Sequence, residues 1–120
     1  MVDTDRRTSA RVRVYRPLQL RQPGGGRPLV ETLTKDIGTG GFKCLSTILI
    51  PVSTEVRVHL MLSTGDEPLE IRGKAAWLRE IPESEQFDLG IAFLDLSPQT
   101  KRRLSVYLER LSYNTTSSSV

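Results

Sequence analysis

The chain has 120 residues, of which 38% are hydrophobic and 26% are charged, with a net charge of +3. This is the size and balance of one globular domain whose core is large enough to fold alone. No stretch approaches the roughly 18 apolar residues of a membrane span, and the first ten residues lack an apolar signal segment, so we expect a cytoplasmic protein without membrane insertion.

The N-terminal part of the chain is strongly basic. Residues 6–30 contain seven arginines and no acidic residue, whereas the other residues contain ten basic and fourteen acidic groups. A block of one sign repels itself, so it is either solvated or offset by an anionic partner. Because all seven are arginine, planar bidentate contacts with phosphate or guanine edges are favoured. Residues 1–11 have little apolar surface, and we expect them to be flexible without a ligand.

The first elements have the period of two that is typical of half-buried strands. In residues 11–20, RVRVYRPLQL, the inward positions are Val12, Val14, Leu18 and Leu20. Residues 23–27, PGGGR, predict a turn, and residues 28–35 predict a second strand. In the stretch DIGTGGFKC of residues 36–44, a third strand begins after the glycines, with Phe42 and Cys44 on one face.

Three further strands complete the predicted sheet. Residues 55–62, EVRVHLML, alternate cleanly, and STGDEP of residues 63–68 predicts a hairpin loop. The inward positions of the three strands are Val56, Val58, Leu60, Leu62, Leu69, Ile71, Gly73, Ala75, Trp77, Phe87, Leu89, Ile91 and Phe93. Six short strands at close spacing predict an all-β fold, a six-stranded antiparallel barrel.

The C-terminal part changes to a helical period. Ser97 is the predicted N-cap, Pro98 occupies the first helical position, and Leu104, Tyr107, Leu108 and Leu111 recur on one face. The sequence therefore predicts a single barrel domain with a closing helix over residues 12–112. Residues 113–120 are polar and rich in Ser and Thr, and we expect a disordered tail.

The sequence offers no catalytic or metal site. Cys44 is the only cysteine, which excludes an internal disulfide and a thiolate metal cluster, and it is predicted to be a small buried hydrophobic residue. His59 is the only histidine and lies on the outward face of a strand, without a second histidine for metal binding. Neither residue has an oxyanion-type loop beside it. We therefore expect no enzyme and no cofactor.

Two short motifs occur in order: one just before the first strand, and one in the turn between the second and third strands. Arg7 and Arg11 form R-x-x-x-R, and Asp36, Gly38 and Gly41 form D-x-G-x-x-G. Further features are the strand order, the Trp of AAWLRE, the segment FDLGIAFLDLS and the closing helix. In the two motifs and in these features, residues 5–112 resemble the PilZ family. That family consists of bacterial receptor domains for the second messenger cyclic di-GMP, with the signature R-x-x-x-R and [D/N]-x-S-x-x-G.

The resemblance implies a ligand site and a role for each motif residue. Arg7 and Arg11 would hold the phosphates and guanine faces, Asp36 would accept hydrogen bonds from a guanine edge, and Gly41 would let the turn close against the ligand. Arg6 precedes the motif, a position where an additional arginine accompanies binding of a stacked ligand dimer, so two ligands per chain is a hypothesis. The signal would leave through an unidentified effector protein.

The sequence departs from the family motif at one position. Gly38 replaces the serine, so one hydroxyl hydrogen bond, worth about 0.5–1.5 kcal/mol, is absent. Two alternatives stay open: a degenerate PilZ-like adaptor that binds proteins but no cyclic di-GMP, and a barrel that binds nucleic acid. The arginines fit the second alternative, but seven aromatic residues, several of them inward-facing, leave few stacking platforms for bases.

Overall fold

The protein is described by a computed structural model that covers residues 11–118, and the side chains of residues 11–111. The predicted flexible segment therefore lies outside the described residues, except for Arg11. In this part of the chain the strands and the helix are β1 (Val12–Arg13), β2 (Pro17–Arg21), β3 (Pro28–Ile37), β4 (Gly41–Ser46), β5 (Glu55–Leu60), β6 (Leu69–Glu80), β7 (Phe87–Leu94) and α1 (Pro98–Ser118).

The strands form one antiparallel sheet that closes on itself. Their order is β1-β3-β2-β5-β6-β7-β4, and β3 also pairs with β4. Strands β2 to β7 are thus a closed six-stranded barrel, with β1 as one short extra strand on β3. The predicted all-β barrel with a C-terminal helix is confirmed.

The barrel interior is filled by the alternating apolar residues of its strands. Val56, Val58 and Leu60 on β5 are completely buried, as is Phe42 on β4. Cys44 is also buried, and this burial raises the pKa of its thiol to about 12, with the charge of Asp88 adding to the effect. At neutral pH the thiol is therefore protonated, as the prediction of a small hydrophobic residue requires.

The predicted first strand is interrupted. Residues 12–13 and 17–21 both pair with β3, but the register of residues 17–20 differs by one from that of residues 12–13. The buried Thr34 fills the gap between them: its hydroxyl donates to the carbonyl of Val14 at 2.6 Å and accepts from the amide of Arg16 at 2.8 Å. The side chain thus replaces ladder hydrogen bonds where the strand bulges.

The prediction that Trp77 shares the inward face of β6 is wrong. The register of β6 with β7 shifts between Ala75 and Trp77, so one extra residue, Ala76, enters β6. Ala75 is fully buried, whereas Trp77 is 40% exposed. The bulge turns the indole from the core to the outer surface of the barrel.

Helix α1 begins as predicted. The hydroxyl of Ser97 accepts a hydrogen bond from the amide of Thr100 at 3.1 Å, the geometry of an N-cap. Leu104 and Leu108 lie on the apolar face of the helix and are buried. The helix extends to Ser118, beyond the predicted end of the domain at residue 112; disorder of residues 113–120 in solution stays a prediction. Among the described residues, no helix has the length and apolar character that crossing a bilayer requires.

Candidate ligand-binding site

The two motifs meet at one ion pair. The guanidinium of Arg11 contacts a single carboxylate oxygen of Asp36, with Nε at 3.0 Å and a terminal nitrogen at 2.8 Å from Oδ1. The other oxygen, Oδ2, lies 3.8 Å from the Lys43 ammonium. Among residues 11–111 no hydrogen bond reaches Oδ2, so this oxygen is available as an acceptor.

A bulge in β3 presents Asp36 to the surface. The register of β3 with β4 shifts between Thr34 and Asp36, and Lys35 is the extra residue. Thr34 and Ile37 are fully buried, while the two consecutive charged side chains between them are partly exposed. The bulge therefore places an ammonium and a carboxylate side by side on the outer face.

The two motif glycines that flank the turn after β3 are held by the fold itself. The amide of Gly38 donates to the carbonyl of Gly41 at 2.8 Å. A Cβ on Gly41 would lie 2.0 Å from the carbonyl oxygen of Ile91 on β7, whereas nothing lies within 4 Å of such an atom on Gly40. Close packing of β4 on β7 is thus sufficient to require glycine at position 41.

A row of directly paired residues crosses the outer face of the sheet at Asp36. Cα pairing runs without interruption across five strands, through Arg13 on β1, Asp36 on β3, Lys43 on β4, Gly90 on β7 and Trp77 on β6. Neighbouring strands are about 4.8 Å apart, so the backbones of β3 and β6 are about 14 Å apart along this row. We call these five residues the cross-strand row.

The indole of Trp77 lies over the backbone of Gly90, its neighbour in this row. A Cβ on Gly90 would lie only 2.3 Å from the indole nitrogen, so the ring occupies the space that a side chain would take. The guanidinium carbon of Arg79 is 5.8 Å from the ring centroid, within the range of a cation–π contact. The barrel therefore carries an exposed aromatic surface with cations on the same face.

A polar cavity of about 260 Å³ opens at the other end of the row. Its lining residues are Arg13, Tyr15, Lys35, Asp36 and Lys43. Three cations against one carboxylate give it the charge of an anion-binding surface. Larger cavities, of about 480 and 440 Å³, lie on the outer face of β2, β3 and β5 and beside α1, away from both motifs.

A second ion network fixes Lys35 beside the site. Its ammonium is 2.5 Å from Oδ1 of Asp88, and Arg79 is 3.4 Å from Oδ2. Burial disfavours the charged form of Asp88, but the hydrogen bond and charge of Lys35, with those of Arg79, outweigh it and keep the pKa of this carboxyl below its usual value. Asp88 thus stays ionised and binds two of the cations around the site.

Only part of the predicted site lies in the described residues. Arg6 and Arg7 lie outside them; Arg11 and Asp36 are in contact, and Gly38 and Gly41 form the adjacent turn. Arg13 and Lys43 line the cavity beside Asp36, and Trp77 lies in the same row, but the sequence did not point to any of the three as a candidate. The outward position of Lys43 between Phe42 and Cys44 was visible in the alternation of β4, but its alignment with Asp36 depends on the bulge in β3.

Comparison with known proteins gives one family match. The model of the PilZ domain matches residues 5–110. No curated protein sequence matches the chain.

Comparison with solved structures shows the same fold. The chain is similar to the inhibitor of motility MotI/DgrA of Bacillus subtilis, with a TM-score of 0.75, 17% identity, and coverage of 91% of this chain and 52% of that one. It is also similar to Escherichia coli YcgR in complex with c-di-GMP, with a TM-score of 0.77, 14% identity, and coverage of 95% of this chain and 49% of that one. For the PilZ domain of Escherichia coli YcgR with c-di-GMP, the TM-score is 0.71, the identity is 15%, and the coverage is 95% of this chain and 97% of that one. The chain thus spans about half the length of the first two proteins.

Proposed function

The chain belongs to the PilZ domain family, and we propose that it is a cytoplasmic bacterial receptor, without catalytic activity, that binds cyclic di-GMP and passes the signal to a partner protein. The observation that carries this proposal is the contact between Arg11 and Asp36, which joins two motifs that are 25 residues apart in the chain. The two YcgR structures of similar fold contain c-di-GMP, which supports the choice of ligand.

The chemistry of the site suits a guanine base beside a phosphate. Cyclic di-GMP carries two phosphate charges and two flat bases, and guanine offers the N1 and N2 donors to a carboxylate. Oδ2 of Asp36 has acceptor capacity for these donors while Oδ1 keeps its contact with Arg11. Arg11, whose side chain is 45% exposed, retains donors for a phosphate or for the guanine O6 and N7 edge.

The residues before β1 complete the proposed site. Arg7 lies four positions before Arg11 and supplies the second guanidinium of the family motif, and Arg6 adds a third cation next to it. Two bound ligands would bring four phosphate charges, which the additional arginine helps to offset. We therefore include Arg6, Arg7 and Arg11 with Asp36, Gly38 and Gly41 in the proposed site.

The exposed indole extends the site along the barrel. Trp77 shares the cross-strand row with Asp36 and Lys43. Stacking of a base on an aromatic side chain contributes about 1–3 kcal/mol. We propose that one guanine of the ligand stacks on Trp77, while Lys43, the cation between the indole and Asp36 in the row, lies close to a phosphate.

Isothermal titration calorimetry tests the receptor function. Wild-type protein is titrated with cyclic di-GMP, with GMP and a short oligonucleotide as controls. Truncating either Arg7 or Arg11 to alanine should weaken binding by about 1.5–3 kcal/mol, which is the contribution of a charge-assisted hydrogen bond, and the double variant should lose detectable binding. The melting temperature of the Arg11 variant should change little, because its side chain is 45% exposed and its ion pair with Asp36 lies at the surface.

The matched control is Arg57→Ala, which removes an exposed arginine on β5 away from the cross-strand row. This variant should bind like the wild type. Absence of heat with cyclic di-GMP for the wild type would refute the receptor function and favour an adaptor that acts through protein contacts alone. Binding of the oligonucleotide alone would favour a nucleic-acid function.

A further inference from the structure

A groove with an apolar floor and a basic rim lies between α1 and the loop that follows β5. It encloses about 440 Å³, and its lining residues are Leu62, Ser63, Asp66, Arg102, Arg103, Val106, Tyr107, Arg110 and Leu111. We propose that this groove, which we call the helix groove, binds an acidic amphipathic segment of a partner protein. The proposal deepens the relay step of the proposed function and rests on it for the existence of a partner.

The spacing of the helix residues produces two parallel stripes along the groove. Arg102, Val106 and Arg110 are separated by four residues each and share one side of α1. Tyr107 and Leu111 belong to the neighbouring stripe and are partly buried. Because a helix rises 1.5 Å per residue, the two arginines stand about 12 Å apart on either side of the exposed Val106.

Two of the arginines on the rim have no partner of opposite charge in the described part of the molecule. The guanidinium of Arg103 donates to the carbonyl of Glu67 at 2.9 Å and so ties α1 to the loop. Within residues 11–111, the guanidinium groups of Arg102 and Arg110 make no hydrogen bond and no ion pair, and both residues are exposed. The charge of the groove is three arginines against the single carboxylate of Asp66.

Charge complementarity selects the occupant. Guanidinium groups whose water is displaced by a partner need carboxylates or phosphates in its place, because an unpaired buried charge is strongly unfavourable. The floor of Val106, Tyr107 and Leu111 gains from burial of an apolar side chain. An acidic segment with a large apolar residue between two carboxylates satisfies both requirements, and an amphipathic helix provides this pattern at positions i, i+4 and i+8.

A nucleic acid fits the helix groove less well. The phosphates of a nucleic acid offer no aliphatic side chain for the floor and no donor for Asp66, which lines the wall opposite the helix. Oδ2 of Asp66 accepts from the hydroxyl of Ser63, and Oδ1 has room for a donor of the partner. A peptide backbone or a hydroxyl side chain supplies such a donor. Asp66 and the apolar floor therefore favour a protein segment over a polynucleotide.

Selection from a displayed library of random 16-residue peptides tests the proposal. The full chain is the target, with and without cyclic di-GMP, and the variant that combines Arg102→Glu with Arg110→Glu is the counter-target. Enriched peptides should carry a large apolar residue flanked by carboxylates about 12 Å apart. Synthetic copies should bind the wild type by fluorescence anisotropy, and the double variant should bind them at least tenfold more weakly.

A second double variant is the matched control. Lys101→Glu with Lys74→Glu makes the same change of charge at exposed lysines, one on α1 and one on β6, that do not line the groove. It should bind the selected peptides within about threefold of the wild type. Three results would overturn the proposal: both double variants weaken binding equally, the enriched peptides lack carboxylates, or no peptide is enriched in either condition. Because the selection is also run without cyclic di-GMP, peptide binding can be judged even if the titration with cyclic di-GMP shows no binding.

Discussion

The two carboxylate oxygens of Asp36 have different surroundings. Oδ1 contacts Arg11, whereas Oδ2 has the ammonium of Lys43 3.8 Å away and is the oxygen that the proposed function assigns to a ligand donor. Cations on both sides keep the carboxylate in place and also attract an anionic ligand to the same surface. We therefore expect the contact of Arg11 with Asp36 to prepare the proposed site rather than to block it.

Gly38→Ser should strengthen the binding of cyclic di-GMP. Among the glycines of residues 11–118, a positive φ occurs at Gly25, Gly26 and Gly65, so position 38 does not need the left-handed conformation that disfavours serine. The restored hydroxyl should add about 0.5–1.5 kcal/mol, a gain of roughly twofold to tenfold in affinity by calorimetry. Gly24→Ser, in the turn between β2 and β3, is the control. Unchanged affinity in the Gly38 variant would show that the ligand does not reach this turn.

Trp77→Leu should weaken cyclic di-GMP binding by about 1–3 kcal/mol if a guanine stacks on the indole. Trp77 is the only tryptophan, so its fluorescence in the wild type reports the same contact and should change on ligand addition. Leu33→Ala removes another exposed apolar side chain, on β3, and should leave affinity unchanged. Wild-type binding without a fluorescence change would place the ligand away from the indole.

The strands were predictable from the sequence, whereas their bulges were not. Alternation placed the buried faces of β4 and β5 correctly because one side chain in two meets the core. On β7 it placed Leu89 and Ile91 correctly, whereas Phe87 is only half-buried. On β6 the alternation continues from Leu69 to Trp77 without a visible break, and the extra residue Ala76 appears only in the register with β7. A bulge depends on the partner strand, about which one strand's sequence says nothing.

The site was predictable to the extent that short motifs carry it. The resemblance to the family joined Arg11 with Asp36 across 25 residues, which residue spacing alone does not do. Lys43 and Trp77 enter the site only through the pairing of four strands, and the bulge in β3 sets their alignment with Asp36. Residues positioned by register, rather than by motif, are therefore the part that sequence reasoning missed.

Across the whole molecule, Asp88 connects three strands of the barrel through charge. It lies on β7, and its two oxygens contact Lys35 on β3 and Arg79 on β6. The residue is only 8% exposed, so loss of its charge would leave Lys35 and Arg79 without their counter-ion in a partly buried place.

Because the pKa of Asp88 is lowered, the free energy of unfolding of the barrel should decrease at acid pH. A carboxyl with a folded pKa below its unfolded value of about 3.9 stabilises the fold above that value, and this contribution is lost as the pH falls towards the folded pKa. Asp88→Asn should therefore be less stable than the wild type in urea at pH 7, and the difference should shrink below about pH 4. The control Glu70→Gln removes an exposed carboxylate without an ion pair in residues 11–111. A difference that stays constant down to pH 3 would contradict this assignment.

Closure of the barrel depends on how near β4 comes to β7. At Gly41 the backbone of β4 lies so close to the carbonyl of Ile91 that a Cβ would be 2.0 Å from its oxygen. The same glycine is part of the motif that the family resemblance assigns to the ligand. One residue thus has both a structural and a proposed binding explanation, and neighbouring glycines allow the two to be separated.

Gly41→Ala should destabilise the whole barrel, by about 1–3 kcal/mol or more, because β4 and β7 must move apart to accept the methyl group. Gly40→Ala is the matched control: no atom lies within 4 Å of its Cβ and its φ is not positive, so stability should be unchanged or rise by about 0.4–1 kcal/mol. Urea unfolding of both variants, followed by calorimetry with cyclic di-GMP where both are folded, separates the explanations.

If Gly41→Ala is as stable as Gly40→Ala yet binds cyclic di-GMP more weakly, the close approach to Ile91 is not what requires glycine, and the residue serves the ligand. If it is less stable but binds normally when folded, Gly41 belongs to barrel closure, and the ligand contacts of this motif are confined to Asp36 and position 38.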